Sequence, residues 1–476
     1  MKNLVRIRKS IMLFIKIMIV SAVTVGFMQV WITGYEESLF SNKGNYVVIL
    51  SFVLLFTVFS SLYGAFKIGI SRIHEIIYSF SLATVFTNAV MYLELSLIAR
   101  QMVSIAPMIF GIAYQIVVVA ICSFCANTIY FKLYPPRRVV AIFGDDISGF
   151  ELIKKMGKIS ERFQIERGLN VNTTDIEEIK RQIDKYEAVV ICGIDKNLQK
   201  KILSYCYTNE KRSYLLPDIT DIIVSNSYNI QISDTPVLMS RNRGLTLEQR
   251  IIKRFMDIII SAILIILSSP FMLICAIAIK LDDGGPILFK QNRITINGKI
   301  FNVLKFRSMI VDADKDGAKK AVNDDDRITR VGKIIRACRM DELPQLFNIL
   351  LGDMSLVGPR PERIENVYEY SKKYPEFELR HRVKGGLTGF AQLYGKYNTS
   401  PEDKLHMDLI YVETYSLLLD LKLLILTFKV LFMRESTEGF NEKANENVRA
   451  SKSLKKESEK KDELWCNTCS NGGRYG

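Results

Sequence analysis

Four long apolar runs open the chain: Ile11 to Thr33, Tyr46 to Phe66, Glu75 to Ala99 and Ser104 to Phe131. Each holds roughly the ~20 mostly apolar residues that a bilayer span requires. The third is the weakest, because Glu94 lies inside it. A cleaved secretory leader is the bland reading of the first run, but further spans follow it and no small-residue cleavage pattern stands out. In short loops, basic residues mark the cytoplasmic side. Lys2, Arg6, Arg8 and Lys9 precede the first run, Lys67 and Arg72 separate the second from the third, and Lys132, Arg137 and Arg138 follow the fourth. The intervening loops are poorer, with Glu36, Glu37 and Lys43 in one and Arg100 in the other. The N-terminus and everything after Pro136 are therefore expected on the cytoplasmic face.

A fifth apolar run, Phe255 to Ile279, departs from this pattern. "SSP", Ser268 to Pro270, interrupts it, and cations stand at both ends: Arg250, Lys253 and Arg254 before it, Lys280, Lys290 and Arg293 after it. Proline removes a backbone donor and crowds the preceding turn, which kinks a helix and frees a carbonyl that a neighbouring group must satisfy. A straight fifth span would carry the following residues out of the cell. Charge on both sides instead points to a segment with both ends cytoplasmic. A late apolar stretch, Leu417 to Met433, is broken by Asp420, Lys422 and Lys429 and is expected to lie along the membrane surface.

A length of 476 residues allows two or three units, and 49% hydrophobic content fits a chain partly in lipid. The net charge of +14 admits nucleic acid as a partner, but the sequence lacks zinc-finger spacing, a basic zipper or an aromatic RNA-binding signature, so no nucleic acid is expected. Anionic lipid or a phosphorylated substrate accounts for the same charge. Of the eight cysteines, Cys466 and Cys469 form a CxxC pair in a polar tail, and the others, including Cys122 and Cys125 at the same spacing inside the fourth apolar run, are scattered through apolar or cytoplasmic segments where thiols stay reduced.

After "YPPRR", Tyr134 to Arg138, the texture becomes that of a soluble α/β unit. Arg138 to Gly144 and Ala188 to Ile194 read as buried strands, and Gly149 to Lys158 and Asp175 to Lys185 as helices, which together imply a small parallel sheet. The loop "GDDISG", Gly144 to Gly149, stands where a nucleotide-binding glycine loop would, yet it lacks the middle glycine, and Asp145 and Asp146 would repel a phosphate. The module is read as a degenerate Rossmann-like unit with a regulatory or oligomerisation role.

The densest chemistry comes later. Within Lys280 to Met309, Gly284, Gly285 and Pro286 supply a sharp turn, and Lys290, Arg293, Lys299, Lys305 and Arg307 are cations suited to phosphate. Head-group contact is an equal reading for Lys290 and Arg293, whereas Lys305 and Arg307 flank Phe306 in one compact motif. In "RMDELPQLFNILLGDMSLVGPRPE", Arg339 to Glu362, helical spacing runs from Glu342 to Leu351, and Pro344 fits only a first turn. Asp341 and Glu342 are thus expected at a helix start, where partial positive charge suits an anion. Capping alone explains one acid there. Two acids near Arg336, Arg339 and Arg360 form a set that suits a divalent metal, attack at phosphorus and neutralisation of the developing charge.

From about Arg250 to Met433, the blocks "KRFMDI", "SSP", "DDGGPILFKQNR", "KFRSM", "RMDELPQLFNILLGDMSLVGPRPE", "LTGFAQLYG" and "LDLKLL" strongly resemble, in order, the bacterial sugar transferase family. These are monotopic polyprenyl-phosphate phosphoglycosyl transferases, and the N-terminal half is similar to that of larger members that prime capsule or exopolysaccharide repeats. The resemblance implies that Asp341 is a catalytic nucleophile and Glu342 its partner, that both serve a Mg2+ ion, and that Lys305, Arg307, Arg336 and Arg360 bind substrate phosphates. Asp408 occupies a further motif position, for which solvation on a helix face is the plain alternative; His381 and His406, read as exposed helix residues, receive no role. It also implies that Ser269 and Pro270 break a re-entrant membrane helix. The implied reaction moves hexose-1-phosphate from a nucleotide diphosphate sugar, commonly a UDP-hexose, to polyprenyl (undecaprenyl) phosphate through a phosphosugar-aspartate intermediate. Two positions depart from the family pattern, Gly385 where proline is usual and Thr295 where glycine is common, both near elements expected to shape the substrate pocket.

The fold expected is a membrane protein with an N-terminal transmembrane helix bundle, a Rossmann-like α/β cytoplasmic module and a re-entrant-helix monotopic α/β catalytic domain. The expected boundaries are 1–133, 134–241 and 242–433, with the re-entrant helix at 255–279 and a disordered polar tail at 434–476. The expected location is the bacterial cytoplasmic membrane, multi-pass, with the catalytic domain on the cytoplasmic face. The expected partners are the nucleotide sugar, polyprenyl phosphate and membrane lipid; oligomeric state is open, and a homodimer is the arrangement the module favours. Two other readings stand beside this one: a membrane-anchored regulatory or scaffold protein of a glycan assembly complex, and a lipid-linked glycosyl transferase releasing nucleoside diphosphate.

Overall fold

The computed structural model describes residues 2–36, 43–144, 147–157, 159–240, 244–311, 313, 325–395 and 399–431. Asp145 and Asp146 of the glycine loop, and the expected tail with Cys466 and Cys469, lie outside the described residues. The chain divides into two compact units, Met1–Thr220 and Asp221–Gly476, a break that falls ahead of the expected boundary at 242.

The first unit begins with four helices, α1 (Lys2–Gly34), α2 (Gly44–Leu62), α3 (Ile73–Ile98) and α4 (Ala106–Leu133). All four are long and apolar enough to cross a membrane. Aromatic stacking ties them together: the Phe27 and Phe52 rings lie 4.2 Å apart, and Phe56 and Phe80 6.2 Å apart. Gly111 lets α4 approach α1, because a Cβ there would lie 2.5 Å from Val30 Cγ2. The acid that weakened the third run is answered inside the bundle, where the Ser51 hydroxyl donates to Glu94 at 2.9 Å. A second polar tie joins α3 to α4, Asn88 Nδ2 to Gln115 Oε1 at 2.7 Å. A polar group in lipid must find such a partner or pay its full desolvation.

The same unit continues as an α/β module: β1 (Arg137–Phe143), α5 (Ile147–Gly157), β2 (Phe163–Asn170), α6 (Ile176–Lys185), β3 (Ala188–Cys192), α7 (Lys196–Thr208) and β4 (Arg212–Leu215). The sheet is parallel in the order β2-β1-β3-β4, as the alternation of strands and helices implied. Strand β3 is buried throughout, as its unbroken apolar run requires. At the carboxyl ends of β1 and β3, where such sheets place ligands, the two loops close on each other. A Cβ at Gly144 would lie 2.0 Å from the Gly193 carbonyl oxygen. Helix α8 (Ile219–Ser225) and a hairpin, β5 (Tyr228–Ile232) with β6 (Thr235–Met239), follow.

The second unit is organised by α9 (Leu247–Asp283), a 37-residue helix. Thr246 and Gln249 cap its start reciprocally, and Gly284, at φ 70, closes its end in the left-handed conformation that glycine tolerates best. Pro270 does not end this helix. The carbonyl deprived of a donor by that proline is Ile266 O, and the Ser269 hydroxyl supplies the missing bond at 2.8 Å. One face of α9 carries Lys253, Asp257 and Ser261 at four-residue spacing, all buried against protein, while Phe255, Ile266, Leu267 and Leu273 on other faces are exposed. The expected membrane segment therefore begins with a face committed to the second unit.

Beyond α9, β7 (Leu288–Ile294) and β8 (Ile300–Phe306) form an antiparallel hairpin around Asn297 and Gly298, both at positive φ. Next come α10 (Arg330–Ala337), a 3-10 turn at Met340–Glu342, α11 (Gln345–Leu351), β9 (Ser355–Val357), α12 (Ile364–Lys373), a 3-10 stretch at Pro375–Arg382, β10 (Gly386–Thr388), α13 (Phe390–Tyr394), α14 (Pro401–Glu413) and α15 (Leu417–Leu431). Strands β9 and β10 pair in parallel. The latter part of α9 seals a core in which Met272, Cys275 and Ile279 meet Phe306 and Ile335.

Candidate active site

Helix α10 ends at a residue in an unusual conformation. Arg339 has φ 53 and ψ 23, a left-handed geometry that a long side chain adopts at a cost of about 1 kcal/mol or more. The reversal brings Asp341 and Glu342 onto the 3-10 turn, with Pro344 as the N-cap of α11. The dyad thus precedes α11 rather than occupying its first turn. Cations, not helix amides, surround it.

Lys305 comes from β8 beside the buried Phe306, and the pleat of the strand turns the two side chains to opposite faces. Its Nζ lies 2.8 Å from Glu342 Oε1 and 4.0 Å from Asp341 Oδ2. Arg360 Nη2 reaches the same Glu342 oxygen at 2.8 Å. Its loop is braced on several sides: Gly358 N donates to Thr388 O at 2.8 Å, Gly386 N to Pro359 O at 2.9 Å, and Arg293 Nη1 to Pro361 O at 2.9 Å. Arg336, from the last turn of α10, is close enough to pull on the Asp341 charge. Its Nη1 is buried with no hydrogen-bond partner among the described residues, a donor that a bound anion would satisfy.

The two acids are held differently. Burial pushes the Glu342 carboxyl up, but Arg360 and Lys305 outweigh it and keep the group well below the usual carboxylate range. Burial and the neighbouring Glu342 charge raise Asp341 instead, against the pull of Lys305, Arg336 and Arg360. Among the described residues, nothing hydrogen-bonds the Asp341 carboxylate; its nearest cation is Lys305 at 4.0 Å. One carboxylate is tied to two cations as an anion, and the other lies beside it with no hydrogen bond among the described residues.

Other residues expected at the site lie apart from it. Arg307 gives Nε to Pro286 O at 2.7 Å and both terminal nitrogens to Asp283, so its fork closes the turn after α9 and does not reach the dyad. Its position against Gly285, where a Cβ would come 2.8 Å from Nη2, explains the glycine. Arg293, read equally as a head-group contact, is half-buried and committed to Pro361 O and Gln291. Asp408 is not solvated on a helix face: it is 1% exposed and paired at 2.6 Å with Arg380, which sequence reasoning missed. The pair is separated by 28 residues and carries no local motif. His381 is half-buried, not exposed, and burial pushes its imidazole down to about 4, so it stays neutral. The two departures from the family pattern touch: Gly385 N donates to Thr295 Oγ1 at 3.0 Å, and proline at 385 would lack that N–H.

Among the described residues there is no group of three or more His, Cys, Asp or Glu side chains that would cage a metal. Two adjacent carboxylates nevertheless fit Mg2+, which is usually held by one or two carboxylates together with substrate phosphates.

An acidic dyad flanked by lysine and arginine, on an α/β unit with a helix long and apolar enough to cross a membrane, is a charge arrangement suited to a phosphorylated group. Residues 248–434 match the model of the family described as bacterial sugar transferase. The chain is 34% identical over 304 residues to a UDP-glucose:undecaprenyl-phosphate glucose-1-phosphate transferase of Klebsiella pneumoniae, covering 63% of each chain. It is 41% identical over 189 residues to a protein of the same name from Caulobacter vibrioides, 39% of this chain and 71% of that one. It is also 41% identical over 185 residues to the exopolysaccharide production protein PSS of Rhizobium leguminosarum bv. phaseoli, 37% of this chain and 92% of that one. The chain belongs to the bacterial sugar transferase family. It spans less than two thirds of the Klebsiella protein's length.

Proposed function

We propose that the protein transfers a hexose-1-phosphate from a nucleotide diphosphate sugar, in the first instance a UDP-hexose, to undecaprenyl phosphate, priming exopolysaccharide or capsule synthesis at the bacterial cytoplasmic membrane. The observation that carries this reading is the asymmetry of the dyad: Glu342 locked by Lys305 and Arg360, Asp341 beside it without a hydrogen bond. The Asp341 oxygen attacks the phosphorus that bears the sugar, the bond from that phosphorus to the bridging oxygen breaks, and nucleoside monophosphate leaves. An oxygen of undecaprenyl phosphate then attacks the same phosphorus and releases the Asp341 carboxylate. Lys305, Arg336 and Arg360 hold phosphate oxygens and offset the charge that develops on them. Mg2+ held by Asp341 and Glu342 would supply further neutralisation of the diphosphate.

The membrane geometry proposed is re-entrant, with the dyad on the cytoplasmic face. Arg254 donates to Ile349 O at 2.7 Å and to Leu350 O at 2.8 Å, while 21 positions further on Cys275 lies 3.8 Å from Met340. Both halves of α9 thus dock on one short segment around α11. From Arg254 to Cys275 a straight helix would rise about 32 Å, about the ~30 Å of the hydrocarbon core, and would carry its two docking sites to opposite sides. Release of nucleoside monophosphate by purified protein with magnesium, undecaprenyl phosphate and a panel of nucleotide sugars tests the reaction. One donor should support release, and Asp341→Asn should abolish it; diphosphate release, or an unchanged Asp341→Asn rate, refutes the mechanism.

A further inference from the structure

We infer that Arg380 is a positioning residue for Arg360, held in place for that task by Asp408. Arg380 is 3% exposed and Asp408 1%. Nε and Nη2 of Arg380 both donate to Asp408 Oδ2, at 3.0 and 2.6 Å, and Nη2 also donates to the Arg360 carbonyl oxygen at 2.9 Å. The Phe377 ring lies under the guanidinium, 4.8 Å from its centre. The charge on Arg380 is met chiefly by Asp408, with the Glu362 carboxylate also near enough to feel it, and its direction is fixed by its two hydrogen-bond partners.

Arg360 needs such a fixture. Its side chain is 42% exposed, and the bond that sets it on the dyad is the one from Nη2 to Glu342. A long, half-exposed arginine keeps its place only if the backbone beneath it does not wander. The Pro359 and Pro361 carbonyls, on either side of it, are already held by Gly386 N and Arg293. Arg380 holds the one between them. A buried ion pair adds little net stability over well-packed apolar side chains, so a stabilising role alone does not explain the pair's bond to this carbonyl.

The inference rests on the reaction proposed above, and wild-type turnover in the same assay separates the two. Arg380→Lys keeps a charge for Asp408, but a single ammonium lacks the planar fork that spans both partners. It should lower kcat by about tenfold to a hundredfold, as misplaced catalytic groups do, with KM for the nucleotide sugar unchanged. In an Arg360→Ala background the same substitution should cost nothing further, because its effect passes through the side chain already removed. Arg380→Met with Asp408→Leu, which removes both members of the pair and leaves Glu362 its contact with Arg293, should stay folded by thermal unfolding and detergent gel filtration and still lose kcat. The Arg380→Lys cycle decides the matter should that double variant unfold. Losses that multiply in the Arg360→Ala background, or a folded double variant with wild-type kcat, overturn the positioning role. Absence of wild-type turnover overturns the reaction on which it rests.

Discussion

At the scale of single residues, the dyad makes a pH prediction with a definite sign. Burial and Glu342 raise Asp341 above the ordinary aspartate value of 3.8. A nucleophile must be ionised, so kcat/KM for monophosphate release should fall as pH drops through that raised value. Replacing Glu342 by glutamine removes one cause of the rise and leaves the cations in place. The acid limb of the residual activity should then move to lower pH; a limb that stays fixed or moves up would show that another group controls it. Neighbouring residues explain what the sequence could and could not reveal. Asp341, Glu342, Lys305 and Arg360 were legible because each sits in a compact motif and the structure brings them together. Arg307 sits in just such a motif yet closes on Asp283, a partner that spacing does not identify. Thr295 and Gly385 looked like two separate departures, and only their 3.0 Å contact makes them one exchange.

At the scale of elements, α9 is held by a buried ionic cluster. Lys253 Nζ lies 2.5 Å from Asp420 Oδ2 of α15, and Tyr411 of α14 donates to the other Asp420 oxygen at 2.8 Å. Asp420 was read as a polar interruption of a surface stretch, yet it is 1% exposed. Asp420→Asn should therefore destabilise the unit by about 3 to 5 kcal/mol, because it strands a buried lysine, whereas Lys253→Met with Asp420→Leu should cost far less. Thermal unfolding of the two variants in one detergent checks the contrast; equal losses would mean that the pair has no special place in the packing. Helices α1 to α6 and the strands β1 and β3 were readable from apolar length, alternation and caps. The pairing of α9 with α15 was not, because it joins residues 167 positions apart.

At the scale of the whole molecule, five helices among the described residues are long and apolar enough to cross a membrane, and the fifth decides on which side the dyad works. The proposed re-entrant geometry predicts that single cysteines at Glu248 and Lys280, in a cysteine-free background, react with an impermeant thiol reagent from the cytoplasmic side alone. Labelling of the two from opposite sides would make α9 a true span and remove the dyad from its nucleotide sugar. The bond between Lys253 and Asp420 bears on ancestry as well as on packing. It staples the opening helix of the transferase fold to its closing helix, so the fold starts and finishes at one place. A domain closed in this way can stand nearly alone without reworking its interior, and 185 residues of this chain do cover 92% of the Rhizobium protein.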